Sequence, residues 1–359
     1  MIKFLDLQKL NQPFEAEFLS KTKEFLAKGW YILGDEVKQF ENQFADFSNA
    51  KHCIGVGNGL EALVLILKGN IQLGKLEKGD EVIVPANTYI ASVLAILQAD
   101  LVPVLIEPNI ETYTINPDLI SEKITSKTKA ILLVHLYGQL AEMDKITELS
   151  NQFNLLIIED AAQAHGLPFK GNHTRAFSFY PGKNLGALGD GGAITTNDDK
   201  LAEVLFSLRN YGSNKKYYND FIGVNSRLDE LQAAFLNIKL PHLNAENEAR
   251  KKVAKRYLAE IKNTKIVLPI CEDFDKHVFH LFVIRTENRD DLQDYLSKNG
   301  IETIIHYPIP PHQQNALTEF NHFTLPITEK IHREVLSLPI SSILTNEEIT
   351  YIIATLNCY

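Results

Sequence analysis

Apolar positions follow two different rhythms along the chain. From Lys51 to Asn197, short runs of aliphatic and β-branched residues recur at His52–Val56, Glu81–Val84, Leu101–Ile106, Ala130–His135, Leu155–Ile158, Ala176–Phe179 and Ala193–Thr196. Between them helical patterning predicts helices over Leu60–Leu67, Ile90–Gln98, Met143–Phe153 and Asp198–Arg209. Strands that are apolar on both faces need cover on both sides, so the alternation predicts an α/β fold with a large, mostly parallel sheet sandwiched by helices. After Ser226 the pattern turns helical through Leu228–Lys239 and Asn244–Ile261. A strand over His277–Arg285, a helix over Arg289–Asn299 and a terminal helix over Asn346–Asn357 then suggest a smaller α+β unit. The expected division is a large part, residues 1–240, and a small part, residues 241–359. At the start, helices over Asn11–Ala27 and Asp35–Phe47 flank the aromatic loop Gly29–Gly34, which suits either a site lining or a surface turn.

Composition narrows the function classes. The 359 residues are 45% apolar and 23% charged, the balance of an ordinary globular chain. No apolar run approaches the roughly 20 residues that span a bilayer, and Met1-Ile2-Lys3-Phe4-Leu5-Asp6 lacks the order of a secretion signal, so a cytoplasmic location is expected. A net charge of -9 disfavours nucleic acid or a membrane surface as partner but leaves room for a local anion site. Cys53, Cys271 and Cys358 are too scattered for a disulfide framework or a zinc site, and no metal is expected.

The chemistry concentrates in Ile157-Ile158-Glu159-Asp160-Ala161-Ala162-Gln163 and in Phe177-Ser178-Phe179-Tyr180-Pro181-Gly182-Lys183-Asn184. Asp160 ends an aliphatic run, at the edge where open α/β sheets place ligands, and a carboxylate there can hold a protonated ring nitrogen. Lys183 follows the next run on a turn with Pro and Gly; a desolvated amine there can form a Schiff base with an aldehyde. Ser178 offers a hydroxyl to an anion, and Gly57-Asn58-Gly59-Leu60 leads into a helix whose N-terminal N–H groups suit a phosphate.

Blander readings compete. An Asp after a strand often caps a helix, with Gln163 completing a capping box. Tyr89 suits a core aromatic, His165 a structural ring, and His306 with His312 a metal pair, although prolines intervene and no carboxylate accompanies them. The spacing Gly55-x-Gly57-x-Gly59 is not that of a dinucleotide-binding turn.

Taken together, these segments resemble the DegT/DnrJ/EryC1/StrS family of nucleotide-sugar aminotransferases, which have the fold-type-I architecture. The likeness extends through Gly55–Leu63, Pro85-Ala86-Asn87-Thr88-Tyr89, Asn210-Tyr211-Gly212-Ser213 and Asn225–Ala234, nearly the whole chain. It implies pyridoxal 5'-phosphate as cofactor, with pyridoxamine phosphate as its half-reaction form. Lys183 would bind the cofactor aldehyde and shuttle the proton, Asp160 pair with the pyridine nitrogen, Gln163 lie near the phenolic oxygen and Tyr89 stack on the ring. Gly57, Asn58, Gly59, Leu60 and Ser178 would hold the phosphate, joined by Asn225 from a second subunit, so the resemblance implies a homodimer with composite sites.

The implied reaction moves an amino group from L-glutamate to C3 of a dTDP-3-keto-6-deoxyhexose, giving a dTDP-3-amino-3,6-dideoxyhexose for lipopolysaccharide or O-antigen synthesis. Tyr31, Asn184, Arg227, His306 and Tyr307 are the expected substrate contacts, with Arg250-Lys251-Lys252 a further cation source for the diphosphate. C4 transfer and a non-catalytic binding or regulatory role are the alternatives; a dehydratase of this fold would carry His where Lys183 stands. One departure is visible: Lys170–Arg175 runs into Ala176-Phe177-Ser178 about half a dozen residues sooner than the family pattern, and Arg175 has no counterpart there.

Overall fold

The structure, a computed structural model, describes residues 1–359. Nine strands are present: β1 (His52–Val56), β2 (Glu81–Pro85), β3 (Val102–Ile106), β4 (Thr128–Val134), β5 (Leu156–Asp160), β6 (Thr174–Ser178), β7 (Gly192–Thr196), β8 (Phe282–Arg285) and β9 (Val335–Leu338). The first seven form one sheet in the order β1-β7-β6-β5-β4-β2-β3, and β8 pairs with β9 in a separate ribbon. Only β7 runs against the others, pairing antiparallel with both β1 and β6.

Both faces of the large sheet are buried, as the continuous apolar runs require. Leu132 and Ile158 point into a core roofed by helices Gly59–Gln72, Ile90–Gln98 and Asp199–Leu208, whereas Leu133 and Ile157 point into a second core beside helix Met143–Phe153. A third core, including Phe40, Phe44, Phe177 and Phe179, lies under helices Asp35–Phe47 and Glu230–Lys239. Phe282, Leu336, Ile352 and Leu356 belong to a core of the C-terminal region.

Because every strand but β7 points the same way, the C-terminal ends of β1, β2, β5 and β6 open on one sheet edge. The Gly57 loop, Tyr89, Asp160 and Lys183 all follow these ends, which is why segments remote in sequence converge.

The structure departs from the expected elements in four places. β6 begins at Thr174, because Thr174 and Arg175, polar in sequence, are both buried in the sheet. Of His277–Arg285 only Phe282–Arg285 is strand. The preceding residues bond to a loop instead, Val278 N–H to the Gly138 carbonyl and Leu281 N–H to that of Tyr137. Helix Pro326–Glu334 and strand β9 were not expected. The N-terminal helix starts at Leu7 and is broken around Pro13, where a short 3₁₀ turn precedes Glu15–Lys28.

Candidate active site

Asp160 closes β5 with its carboxyl buried. Ser92 Oγ donates to Asp160 Oδ2 at 2.8 Å, and Ala162 N–H to Oδ1 at 3.1 Å. Burial pushes the carboxyl above its ordinary range, while Ser92, the Ala162 N–H and the Lys183 charge oppose that rise. No helix follows Asp160, so the capping reading of Asp160 and Gln163 does not apply.

Lys183 lies on the turn after β6, its N–H bonded to the Tyr180 carbonyl. Desolvation draws its ammonium down to about 8, against the pull of Asp160. The two groups form no direct hydrogen bond, yet each acts on the other's charge. Both lie at or just past the C-terminal ends of neighbouring parallel strands, on the same edge of the sheet.

The expected phosphate loop is built as a helix N-terminus. Asn58 caps helix Gly59–Gln72, its side chain accepting from Glu61 N–H at 2.9 Å. A Cβ on Gly59 would lie 2.8 Å from Ser178 Cβ, so the loop and β6 approach as only glycine permits. Gly57 needs one correction: its N–H already donates to Ser226 Oγ at 3.0 Å and is not free for a phosphate. The Gly59 and Leu60 N–H groups and the Ser178 hydroxyl remain as the donors of this cradle. Ser226 in turn donates to Glu61, fastening the loop to the segment that carries Asn225.

Gln163 is buried, accepting from Tyr137 N–H at 2.5 Å and donating to the Tyr307 hydroxyl at 3.1 Å. Tyr307 packs on Tyr89 with ring centroids 5.1 Å apart, and Tyr89 is 53% exposed, which overturns its reading as a core aromatic. His306 bonds through Nδ1 to Ser337 Oγ at 2.9 Å, and burial draws its ring down to about 4. His312 faces Glu329 instead, so the two histidines have different partners. Asn184 is buried behind the lysine turn, bonded to Asn247, the Val278 carbonyl and His280. Its side chain is structural here, which corrects its placement as a substrate contact.

Arg227 donates to Asn210 Oδ1 at 3.0 Å, and Asn225 is exposed on the same segment, bridged to Asn210. Tyr31 is half exposed and packs on Phe25, with no bond to Asp160 or Lys183. Arg250 and Lys251 are buried, Arg250 donating to the Ile340 carbonyl at 2.8 Å and Lys251 pairing with Glu248. Arg250 and Lys251 are therefore not free for a diphosphate, and of this stretch only Lys252 is exposed.

Thr88, Ser92, Tyr137 and Ser226 were missed from sequence. For Ser92 a signal existed: a hydroxyl in the otherwise apolar stretch Ile90–Leu97, fully buried.

The sequence profile of the DegT/DnrJ/EryC1/StrS aminotransferase family matches residues 13–357. The chain belongs to that family. Over 376 aligned positions it is 53% identical to the dTDP-3-amino-3,6-dideoxy-alpha-D-galactopyranose transaminase of Aneurinibacillus thermoaerophilus, covering 100% of this chain and 99% of that one. Among solved structures, S. venezuelae DesV in complex with a ketimine intermediate superposes with a TM-score of 0.95 at 44% identity, over 99% of this chain and 97% of that one. NtdA from Bacillus subtilis, solved with bound cofactor PMP, superposes at 0.91 and 34% identity, over 98% and 83%.

This aminotransferase is pyridoxal-phosphate dependent, and its residues fit the cofactor. Asp160 is a buried carboxyl bonded to Ser92 and the Ala162 N–H only, short of a cationic partner that a protonated ring nitrogen would supply. An amine of lowered proton affinity and a cradle of N–H and hydroxyl groups complete the set. No helix is long and apolar enough to cross a membrane.

Proposed function

We propose that this enzyme transfers an amino group from L-glutamate to C3 of a dTDP-3-keto-6-deoxyhexose, forming a dTDP-3-amino-3,6-dideoxyhexose. Asp160 and Lys183, set on one edge of the sheet at the ends of the paired strands β5 and β6 and each acting on the other's charge, carry the reading. The C3 choice rests on 53% identity to a transaminase named for a 3-amino product.

In this reading Asp160 pairs with the pyridine nitrogen, with Ser92 orienting its carboxylate, and Gln163 and Tyr89 meet the ring's oxygen and face. Gly59, Leu60 and Ser178 hold the phosphate, Asn58 caps the helix behind them and Gly57 shapes their loop. Bound pyridoxal phosphate supplies the electron sink that makes the bond to hydrogen at the amine-bearing carbon labile. Lys183, uncharged at a much lower pH than a free lysine, accepts that proton and returns it across the cleft. Tyr307 and His306, whose segment reaches the cleft through Gln163 and Tyr89, border the sugar, and Arg227 faces the diphosphate.

A homodimer with composite sites belongs to the same proposal, Asn225 reaching the partner's phosphate. Its support is the exposure of the hairpin before Asn225, where Tyr217 is 85% and Ile222 94% exposed. Residues 1–240 form the cofactor-holding part and 241–359 the smaller part, and the enzyme works in the cytoplasm on precursors of surface polysaccharide.

The test has two stages. Pyridoxal phosphate added to the protein gives an absorbance band that L-glutamate shifts toward the pyridoxamine form; a band unmoved by glutamate favours a non-catalytic role. NMR of the product from 3-keto and 4-keto substrates then decides between C3 and C4.

A further inference from the structure

Arg175 is among the largest wholly buried side chains, and nothing in the reaction above uses it. It lies opposite Glu159 across the β5–β6 pairing, in the register Glu159 to Arg175 and Asp160 to Ala176. Arg175 Nε donates to Glu159 Oε2 at 3.1 Å, and Nη2 lies 3.1 Å from Oε1, a two-pronged grip. Nη2 also meets the carbonyls of Lys170 at 2.9 Å and Gly171 at 3.3 Å, and the guanidinium sits 4.7 Å over the Phe169 ring. Two histidines complete the cluster. His135 accepts Ala141 N–H at Nδ1, so its Nε2–H donates to Glu159 at 2.8 Å, and His173 Nδ1 meets the same carboxylate at 2.8 Å. These donors hold Glu159 ionised despite full burial.

The position of the cluster matters more than its energy. Side chains alternate across a strand, so Glu159 and Arg175 face away from the cleft while Asp160, one residue on, faces into it. A buried ion pair adds little net stability over an apolar pair, but it penalises any register that separates its charges. Sliding β6 by one residue would bury Arg175 without Glu159 and turn Ser178 from the Gly59 loop.

We propose that Arg175 is a positioning residue: through Glu159 it locks the β5–β6 register and thereby sets the span from Asp160 to Ser178 to the length of the phosphorylated cofactor. The short connection from Gly166 to His173 is tied down by the same side chain. This rests on the reading that Asp160 and Ser178 meet opposite ends of pyridoxal phosphate.

The test compares binding of pyridoxal phosphate with that of pyridoxal, which lacks the phosphate, in wild type, Arg175→Met and Arg175→Lys. Ring contacts are common to both ligands, so the ratio of dissociation constants reads the phosphate end alone. Arg175→Met is expected to lower wild type's preference for the phosphorylated ligand about tenfold, and Arg175→Lys to lower it less. A ratio unchanged in the variants, whatever their melting temperatures, would overturn the proposal by leaving Arg175 a structural residue only. If Arg175→Met does not fold, Arg175→Lys decides by the same criterion. Wild type that binds neither ligand would instead defeat the functional reading itself.

Discussion

The Ser92 hydroxyl donates to Asp160 at 2.8 Å and lies 2.8 Å from the Thr88 hydroxyl, so a chain of two hydroxyls runs behind the carboxylate. It aims one Asp160 oxygen and leaves the other with a single backbone N–H. Removing Ser92 leaves a buried carboxylate with one donor fewer, worth about 1.5–3 kcal/mol for a charged group. Ser92→Ala is expected to lower kcat about tenfold with the absorbance band retained. Asp160→Asn keeps the shape but loses the charge that holds the ring nitrogen protonated, and should cost on the order of a hundredfold to a thousandfold or more. Steady-state kinetics beside the absorbance spectrum of each variant check both; equal rates for Ser92→Ala and wild type would contradict the role given to this hydroxyl.

Lys183 gives a pH dependence of definite sign. Its uncharged form is the nucleophile, and desolvation brings the ammonium to about 8. The rate at which the apoenzyme takes up pyridoxal phosphate should rise about tenfold per pH unit below 8 and level off above it. Asp160 favours the charged amine, so Asp160→Asn should move the midpoint to lower pH. Stopped-flow loading between pH 6 and 10 measures both; a midpoint near 10 would show that the amine is not desolvated in solution.

What was legible from sequence was local and periodic. The bounds of helices Ile90–Gln98, Met143–Phe153 and Asp35–Phe47 agree with the structure: left-handed Asn154 closes the second, Gly34 precedes the third, and the first is an almost unbroken apolar run. Asp160, Lys183 and Ser178 were legible because each follows or ends an apolar strand, where a chemical group is conspicuous. The misses came from tertiary pairing. Arg175 looks like a loop residue until Glu159 is placed opposite it, and Gly57 looks like a phosphate donor until Ser226, 169 residues away, accepts its N–H. His277–Leu281 has the composition of a strand but bonds to the turn at Tyr137 and Gly138. No spacing rule carries such information.

Gly59 is where the phosphate cradle packs against β6. An added methyl would sit 2.8 Å from Ser178 Cβ and 3.4 Å from its Cα, so β6 or the helix start must shift. Gly59→Ala should weaken pyridoxal phosphate at least tenfold while pyridoxal binding changes little. Gly74→Ala is the control for backbone freedom without crowding: φ is +67° and no atom lies within 4 Å of the added methyl. It should cost about 1 kcal/mol of stability with cofactor affinity unchanged. Equal losses of cofactor affinity in the two variants would refute the cradle.

Acid should destabilise the protein through buried rings. Burial draws His165 and His277 down to about 3 and His306 and His332 to about 4. Free imidazoles take a proton near 6.5, so between about 6.5 and 4 the unfolded chain binds protons that the folded chain refuses, and stability falls as pH falls. Glu159, held low by its histidine and arginine donors, adds a loss of the same sign at lower pH, while Glu41 and Asp160, raised by burial, work the other way. A tenfold difference in proton affinity is worth about 1.4 kcal/mol, so a single ring can be isolated by difference. His332 is the one to remove, because burial outweighs the Tyr307 backbone, which favours the charged ring, and the nearby His312 adds to the lowering. His332→Leu should melt with a shallower slope of Tm against pH than wild type between 6.5 and 4.5, whatever its Tm at neutral pH. Parallel slopes would mean that His332 is protonated equally in both states, and that its burial is not maintained in solution.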